Sequence, residues 1–142
     1  MADFKPYLVF NGNCEEVFTF YKAVFKSEFT YIGRFNEMPS TGGPEMDASD
    51  GNKIMHVTLP VGNGELMGSD SNSQSGEVII GSNISISINA ESRVEADHLF
   101  NGLSAGGIIK MPMEDTFWNA YFGMFTDKFG IHWMVNYDEP QQ

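Results

Sequence analysis

One order of segments occurs twice in this chain: a short β-prone run, a capped amphipathic helix, then three more strands. In the first copy, residues 6–10 (PYLVF) form the opening strand, closed by Asn11-Gly12-Asn13. Val17, Phe20, Tyr21, Val24 and Phe25 then recur at helical spacing, and Asn13 and Glu16 have the spacing of a capping box. Residues 28–35 (EFTYIGRF) read as a strand and residues 36–52 as a Gly/Pro/Ser/Asp-rich loop. Residues 53–61 alternate, with Met55, Val57, Leu59 and Val61 on one face and Ile54, His56 and Thr58 on the other. Gly62-Asn63-Gly64 signals a hairpin that returns through residues 65–69.

The second copy opens at residues 83–89 (NISISIN), where Ile84, Ile86 and Ile88 alternate with polar residues. Ser92 and Glu95 form another capping pair, and Ala96, Leu99, Phe100 and Leu103 carry the helical stripe to Gly106-Gly107. Strands follow at 108–111, 118–126 and 131–137, with Asp127-Lys128-Phe129-Gly130 as the last turn. Superposing the halves pairs Val9 with Ile88, Glu16 with Glu95, Phe20 with Leu99, Tyr21 with Phe100 and Val24 with Leu103. A repeat of whole supersecondary units constrains the fold more than any single strand does. It predicts a single α+β domain, residues 1–142, made of two βαβββ modules at 4–70 and 83–138.

Composition narrows the function. A net charge of −11, from 19 acidic and 8 basic side chains without a basic cluster, repels phosphate backbones and anionic membranes. Neither nucleic acid nor membrane is an expected partner. The single cysteine, Cys14, rules out an internal disulfide and a cysteine-based zinc site. No apolar run approaches the ~20 residues of a membrane span, and MADFKPYLVF lacks the layout of a signal peptide, so a cytoplasmic location is expected.

The segments PYLVFNG…EEVFTFYKAVF, KIMHVTLPVGNGELMGSD and TFWNAYFGMFTDKFGIHWMVN resemble the PhnB-like branch of the glyoxalase/bleomycin-resistance/dioxygenase (vicinal oxygen chelate) superfamily. Members of that branch are often labelled demethylubiquinone methyltransferase-like. The resemblance covers nearly the whole chain. It implies a curved eight-stranded, mainly antiparallel sheet around a cleft with the helices outside, a homodimer and a small-molecule ligand. It leaves the activity open, since this fold hosts isomerases, dioxygenases, epimerases and drug-sequestering proteins.

Metal-dependent members take His and Glu ligands from the first and last strands of each half. Carried onto this chain, those positions fall near Pro6, Gly68 or Met67, Asn83 or Ser85, and Met134, none of them His or carboxylate. A divalent metal is therefore not expected, and no cofactor is predicted. Gly62-Asn63-Gly64 with Gly68 lacks the spacing of a dinucleotide loop and joins two strands, which argues against an S-adenosylmethionine site.

His56 is the candidate catalytic residue, as a general base or an anion-binding group, with a hydrogen-bonded structural histidine as the alternative. Phe117, Trp118, Tyr121, Asp70 and Glu114 are the candidate ligand-binding residues. The aromatic concentration of Phe117, Trp118, Tyr121, Phe122 and Trp133 suits a stacking wall as well as a core. Glu114 and Asp115, being adjacent, cannot share one strand face as an acid/base pair. His98 reads as exposed and His132 as structural, Asp47 and Asp50 as solvated loop, and Cys14 as a non-catalytic thiol. Two functions remain: a metal-free protein binding an aromatic or hydrophobic ligand, cationic ones included, or an isomerase- or lyase-type enzyme using His56 for proton transfer.

Overall fold

The computed structural model describes residues 2–38 and 47–140. The chain divides into two compact units, Met1–Ile79 and Ile80–Gln142. The first unit holds β1 (Tyr7–Phe10), α1 (Cys14–Phe25), β2 (Tyr31–Arg34), β3 (Ile54–Val61) and β4 (Gly64–Asp70). The second holds β5 (Ile86–Asn89), α2 (Arg93–Ser104), β6 (Ile108–Asp115), β7 (Ala120–Thr126) and β8 (His132–Asp138). Each unit forms one four-stranded sheet, in the orders β1-β4-β3-β2 and β5-β8-β7-β6. In both, the first strand runs parallel to the last and the other pairs are antiparallel. The architecture is α+β and pseudo-repeated, as the sequence order implied.

Each helix seats an aromatic ring on a glycine of its own sheet. A methyl group on Gly68 would lie 2.6 Å from Phe18 Cε2 and 2.6 Å from the Leu8 carbonyl oxygen. One on Gly123 would lie 2.8 Å from Phe100 Cε2. These glycines are required for close approach, since any larger side chain would push the helix off the strands. The buried face of α1 is accordingly Cys14, Val17, Phe18 and Tyr21. Only Val17 and Tyr21 of the expected stripe belong to it; Phe20, Val24 and Phe25 are half-buried at its margin. The buried face of α2 is Ala96, Leu99, Phe100, Leu103 and Ser104. The two contacts fall on different strands of the module, Gly68 on the last strand, β4, and Gly123 on the third, β7.

Other differences have local causes. Asn13 makes no side-chain cap; the amide of Cys14 is instead bound by Asp70. Ser92 does cap α2, accepting from the Glu95 amide at 3.0 Å. In β3, Gly33 pairs with His56 while the next residue, Arg34, pairs with Ile54, so Met55 is an extra residue in a bulge. The bulge shifts the alternation, burying Ile54 with Val57 and Leu59 and leaving Met55 half-buried. Strand β5 starts only at Ile86, and Ile84 lies outside it and exposed. Strand β6 extends to Asp115, and Trp118 falls in the β6–β7 turn. The expected loop at 36–52 is bounded by short 3-10 turns at Phe35–Glu37 and Ala48–Asp50. Its middle lies outside the described residues.

Gly68→Ala is expected to cost about 1–3 kcal/mol through overpacking against Phe18. Gly64→Ala should cost far less, because the nearest atom to its added methyl is 3.8 Å away. Urea denaturation of the two variants checks the contrast.

Candidate functional site

The helix covers one face of each sheet; the opposite face, the free face, carries no helix among the described residues. Val57 lies opposite Gly68, which packs under Phe18, so the neighbours of both residues in β3 and β4 point to the free face. One row across that face is Tyr7, Met67, Thr58 and Tyr31, contributed by β1, β4, β3 and β2 in turn. The next row includes Val9, Ser69, His56 and Gly33.

His56 is the centre of this surface. Its Nε2 is 2.9 Å from Thr58 Oγ1 and its Nδ1 is 3.4 Å from the Tyr7 hydroxyl. The rings of Tyr7 and Tyr31 flank it at centroid distances of 5.7 and 5.9 Å. Tyr31 takes its place because Gly33 is bare: the Tyr31 hydroxyl would be 2.4 Å from a methyl group there. Both tyrosines are exposed and His56 is half-buried. The imidazole is thus oriented by two hydroxyls and remains accessible, a geometry suited to proton transfer or to binding a polar ligand group. Tyr7, Tyr31 and Thr58 were not singled out by sequence reasoning. Only Thr58, two residues from His56 on the same strand, had a local signal; the tyrosines arrive from other strands.

Among the residues expected to bind ligand, Asp70 has a different place. It is only 4 % exposed, and its Oδ1 accepts from the amides of Gly12 and Cys14 at 3.0 and 2.9 Å. Its Oδ2 accepts from the Ile54 amide at 2.8 Å. Both oxygens are thereby spent on holding the start of α1 to β3. Tyr121 lies on the helix side of its sheet, its hydroxyl donating to Asp97 of α2 at 2.6 Å and its ring 3.8 Å from the Arg93 guanidinium. The Asp97 hydrogen bond, followed by desolvation, raises the Tyr121 pKa. Arg93 also bridges Asp115 and Glu139. Phe117 and Trp118 pack edge to face in the β6–β7 turn, Phe117 97 % exposed and Trp118 52 % exposed. Trp118 also meets Phe122, whose partner across the ladder is the exposed Glu114.

The remaining candidates are structural in their placement. His132 bonds Thr126 and the Gly81 carbonyl, and His98 is exposed on α2. Trp133 is in the core, its Nε1 donating to buried Asp127. Asp47 caps a 3-10 turn, but Asp50, expected in a solvated loop, is buried and accepts from Ser73 and Lys53. Those hydrogen bonds hold its pKa below the ordinary carboxylate value. Cys14 is fully buried, and desolvation, aided by the negative charge of Asp70, pushes its thiol pKa up and away from the reactive thiolate.

On the free faces, the first and last strands pair Tyr7 with Met67, Val9 with Ser69, Ser87 with Met134 and Asn89 with Asn136. These donors do not fit a hard or borderline divalent ion, which prefers imidazole and carboxylate. Among the described residues there is no group of three or more His, Cys, Asp or Glu placed to hold one. Among them, too, no helix is long and apolar enough to cross a membrane.

Comparison with known proteins agrees with this architecture. Residues 2–136 match the model of the family described as 3-demethylubiquinone-9 3-methyltransferase. The chain belongs to that family. It is 30 % identical to protein YjdN of Escherichia coli K12, over 96 % of this chain and 95 % of the relative. The crystal structure of PA1353 from Pseudomonas aeruginosa is similar at a TM-score of 0.84 and 41 % identity, covering 99 % of this chain and 100 % of that one. The Bacillus cereus PhnB protein, named a putative 3-demethylubiquinone-9 3-methyltransferase, gives 0.71 and 26 %, covering 96 % and 99 %. A glyoxylase/bleomycin resistance protein/dioxygenase domain from Frankia shares the fold at 0.69 with 12 % identity, covering 100 % and 96 %.

Asp70→Asn should destabilise the protein by about 2 kcal/mol, because the amide must turn an N–H toward a backbone N–H in a buried site. The urea midpoint is the measurement, and an unchanged midpoint would refute the framing role.

Proposed function

We propose that this chain is a small-molecule-binding protein that works without a divalent metal. Its ligand is aromatic or hydrophobic, cationic ones included, and contacts the free face around His56. The observation that carries the reading is the imidazole held between Tyr7, Tyr31 and Thr58 on the sheet face away from the helix. Two tyrosine rings supply apolar and cation-attracting area, while His56 and the hydroxyls supply orientation. The net charge of −11 favours a cation over an anion. Trp118 and Phe117, with Glu114 nearby on β6, offer a second aromatic and acidic contact region. A cytoplasmic homodimer belongs to the same proposal.

The family name carries a methyltransferase activity that this reading does not adopt. The Gly62-Asn63 turn joins β3 to β4 as a hairpin, with Val61 opposite Gly64, and so opens no helix for a nucleotide.

A second reading is favoured by the fixed orientation of His56. With Tyr7 donating to Nδ1, Nε2–H would donate to Thr58; the reverse tautomer presents Nε2 as the acceptor. Such an imidazole suits proton transfer on a small carbonyl or phenolic substrate.

Native mass spectrometry with metal analysis tests the first reading. Purified protein exposed to excess Mn(II), Ni(II) and Zn(II) is expected to be a dimer retaining no stoichiometric divalent ion. A retained ion that is lost in His56→Ala would overturn the metal-free assignment. For any ligand recovered, binding without turnover supports sequestration. Turnover that is pH-dependent and falls about 10²-fold or more in His56→Ala would move the assignment to an enzyme.

A further inference from the structure

The free face of the second sheet carries a different donor set. The ladder places Met111 of β6 opposite Met124 of β7, and Met124 opposite Met134 of β8. Three thioethers therefore lie side by side across adjacent strands. Directly opposed residues have Cβ atoms about 4.5–5.5 Å apart, and the flexible methionine side chain lets neighbouring sulfurs converge. Gly123, beside Met124, faces Phe100, so the methionine row is on the side away from α2.

Strand β6 leaves regular pairing on both sides of Met111, between Ile109 and Met111 and again between Met111 and Glu114. The second irregularity keeps Met111 and Glu114 on the free face, while the sulfur of Met113 lies over Gly123 on the helix side. Met111 is 46 % exposed, and Met124 and Met134 are half-buried, so the row is not closed off as core packing would be. Exposed Glu114 lies opposite Phe122, the next free-face position of β7 after Met124.

Thioethers are soft, uncharged donors that select Cu(I) and discriminate against ions preferring nitrogen or oxygen. Three of them bind a monovalent ion without cancelling its charge, which leaves a role for a nearby carboxylate. We propose that Met111, Met124 and Met134 form a binding site for a soft monovalent metal ion of the Cu(I) class, with Glu114 compensating its charge.

The test is an anaerobic titration of the reduced protein with Cu(I) in competition with a chromophoric Cu(I) chelator. Ag(I) serves as a second probe, read by NMR of methionine methyl groups labelled with carbon-13. One Cu(I) per chain is expected, with the Met111, Met124 and Met134 methyl signals shifting together on Ag(I) addition. Met124→Leu should weaken binding about tenfold or more, while Met38→Leu, at an exposed methionine of the first unit, should leave it unchanged. Leucine conserves volume, so the fold is expected to survive. Should circular dichroism show Met124→Leu unfolded, Met111→Leu at the exposed edge decides. Absence of binding, or affinity unchanged in a folded Met124→Leu or Met111→Leu variant, would overturn the proposal, as would Ag(I) shifts confined to other methionines.

Discussion

A phenyl ring resting on a glycine sets the geometry of each module. Phe18 on Gly68 and Phe100 on Gly123 bring a helix closer to its sheet than any side chain would permit. That contact covers one face of four strands and so leaves the other free. The covered face collects Phe10, Val57, Leu59 and Leu66 in the first module and Phe125, Trp133 and Val135 in the second. His56 and the methionine row then lie on the opposite faces, because side chains alternate along a strand.

Buried carboxylates hold the connections between these elements. Asp70 gathers three backbone amides from the start of α1 and from β3. Asp127 gathers the amides of Phe129 and Ile131 and the indole of Trp133. Asp50 joins Lys53 and Ser73. An ionised carboxylate is tolerated in a buried place when its lone pairs meet N–H or O–H donors, and all three meet that condition. The acidic residues of this protein therefore have two uses: most lie on the surface, and Asp50, Asp70 and Asp127 act as interior fasteners.

The two free faces are chemically unlike although the modules repeat. Strand β3 of the first module corresponds in order to β7 of the second, yet β3 turns His56 and Thr58 to the face away from the helix where β7 turns Phe122 and Met124. One face is an oriented imidazole among hydroxyls, the other a thioether row beside aromatic rings. The two modules share a scaffold and differ at the outward positions, where fold alone fixes no function.

The amino-acid sequence alone determined the order of elements, the repeat, the hairpin at Gly62-Asn63 and the placing of His56 on the strand face opposite Val57 and Leu59. These follow from local periodicity and turn chemistry, which act within a few residues. Tertiary structure decided what local patterns do not carry. The Met55 bulge moved Ile54 into the core, and the close approach at Gly68 selected Cys14 and Phe18 over Phe20 and Val24 as the buried face of α1. Asp70, expected among the ligand-binding residues, is a buried fastener because its three amide donors come from β3 and from the turn into α1, distant in sequence. Tyr7 and Tyr31 reached His56 only through the registers of β1 on β4 and β2 on β3, since strand pairing brings together residues that no sequence spacing connects.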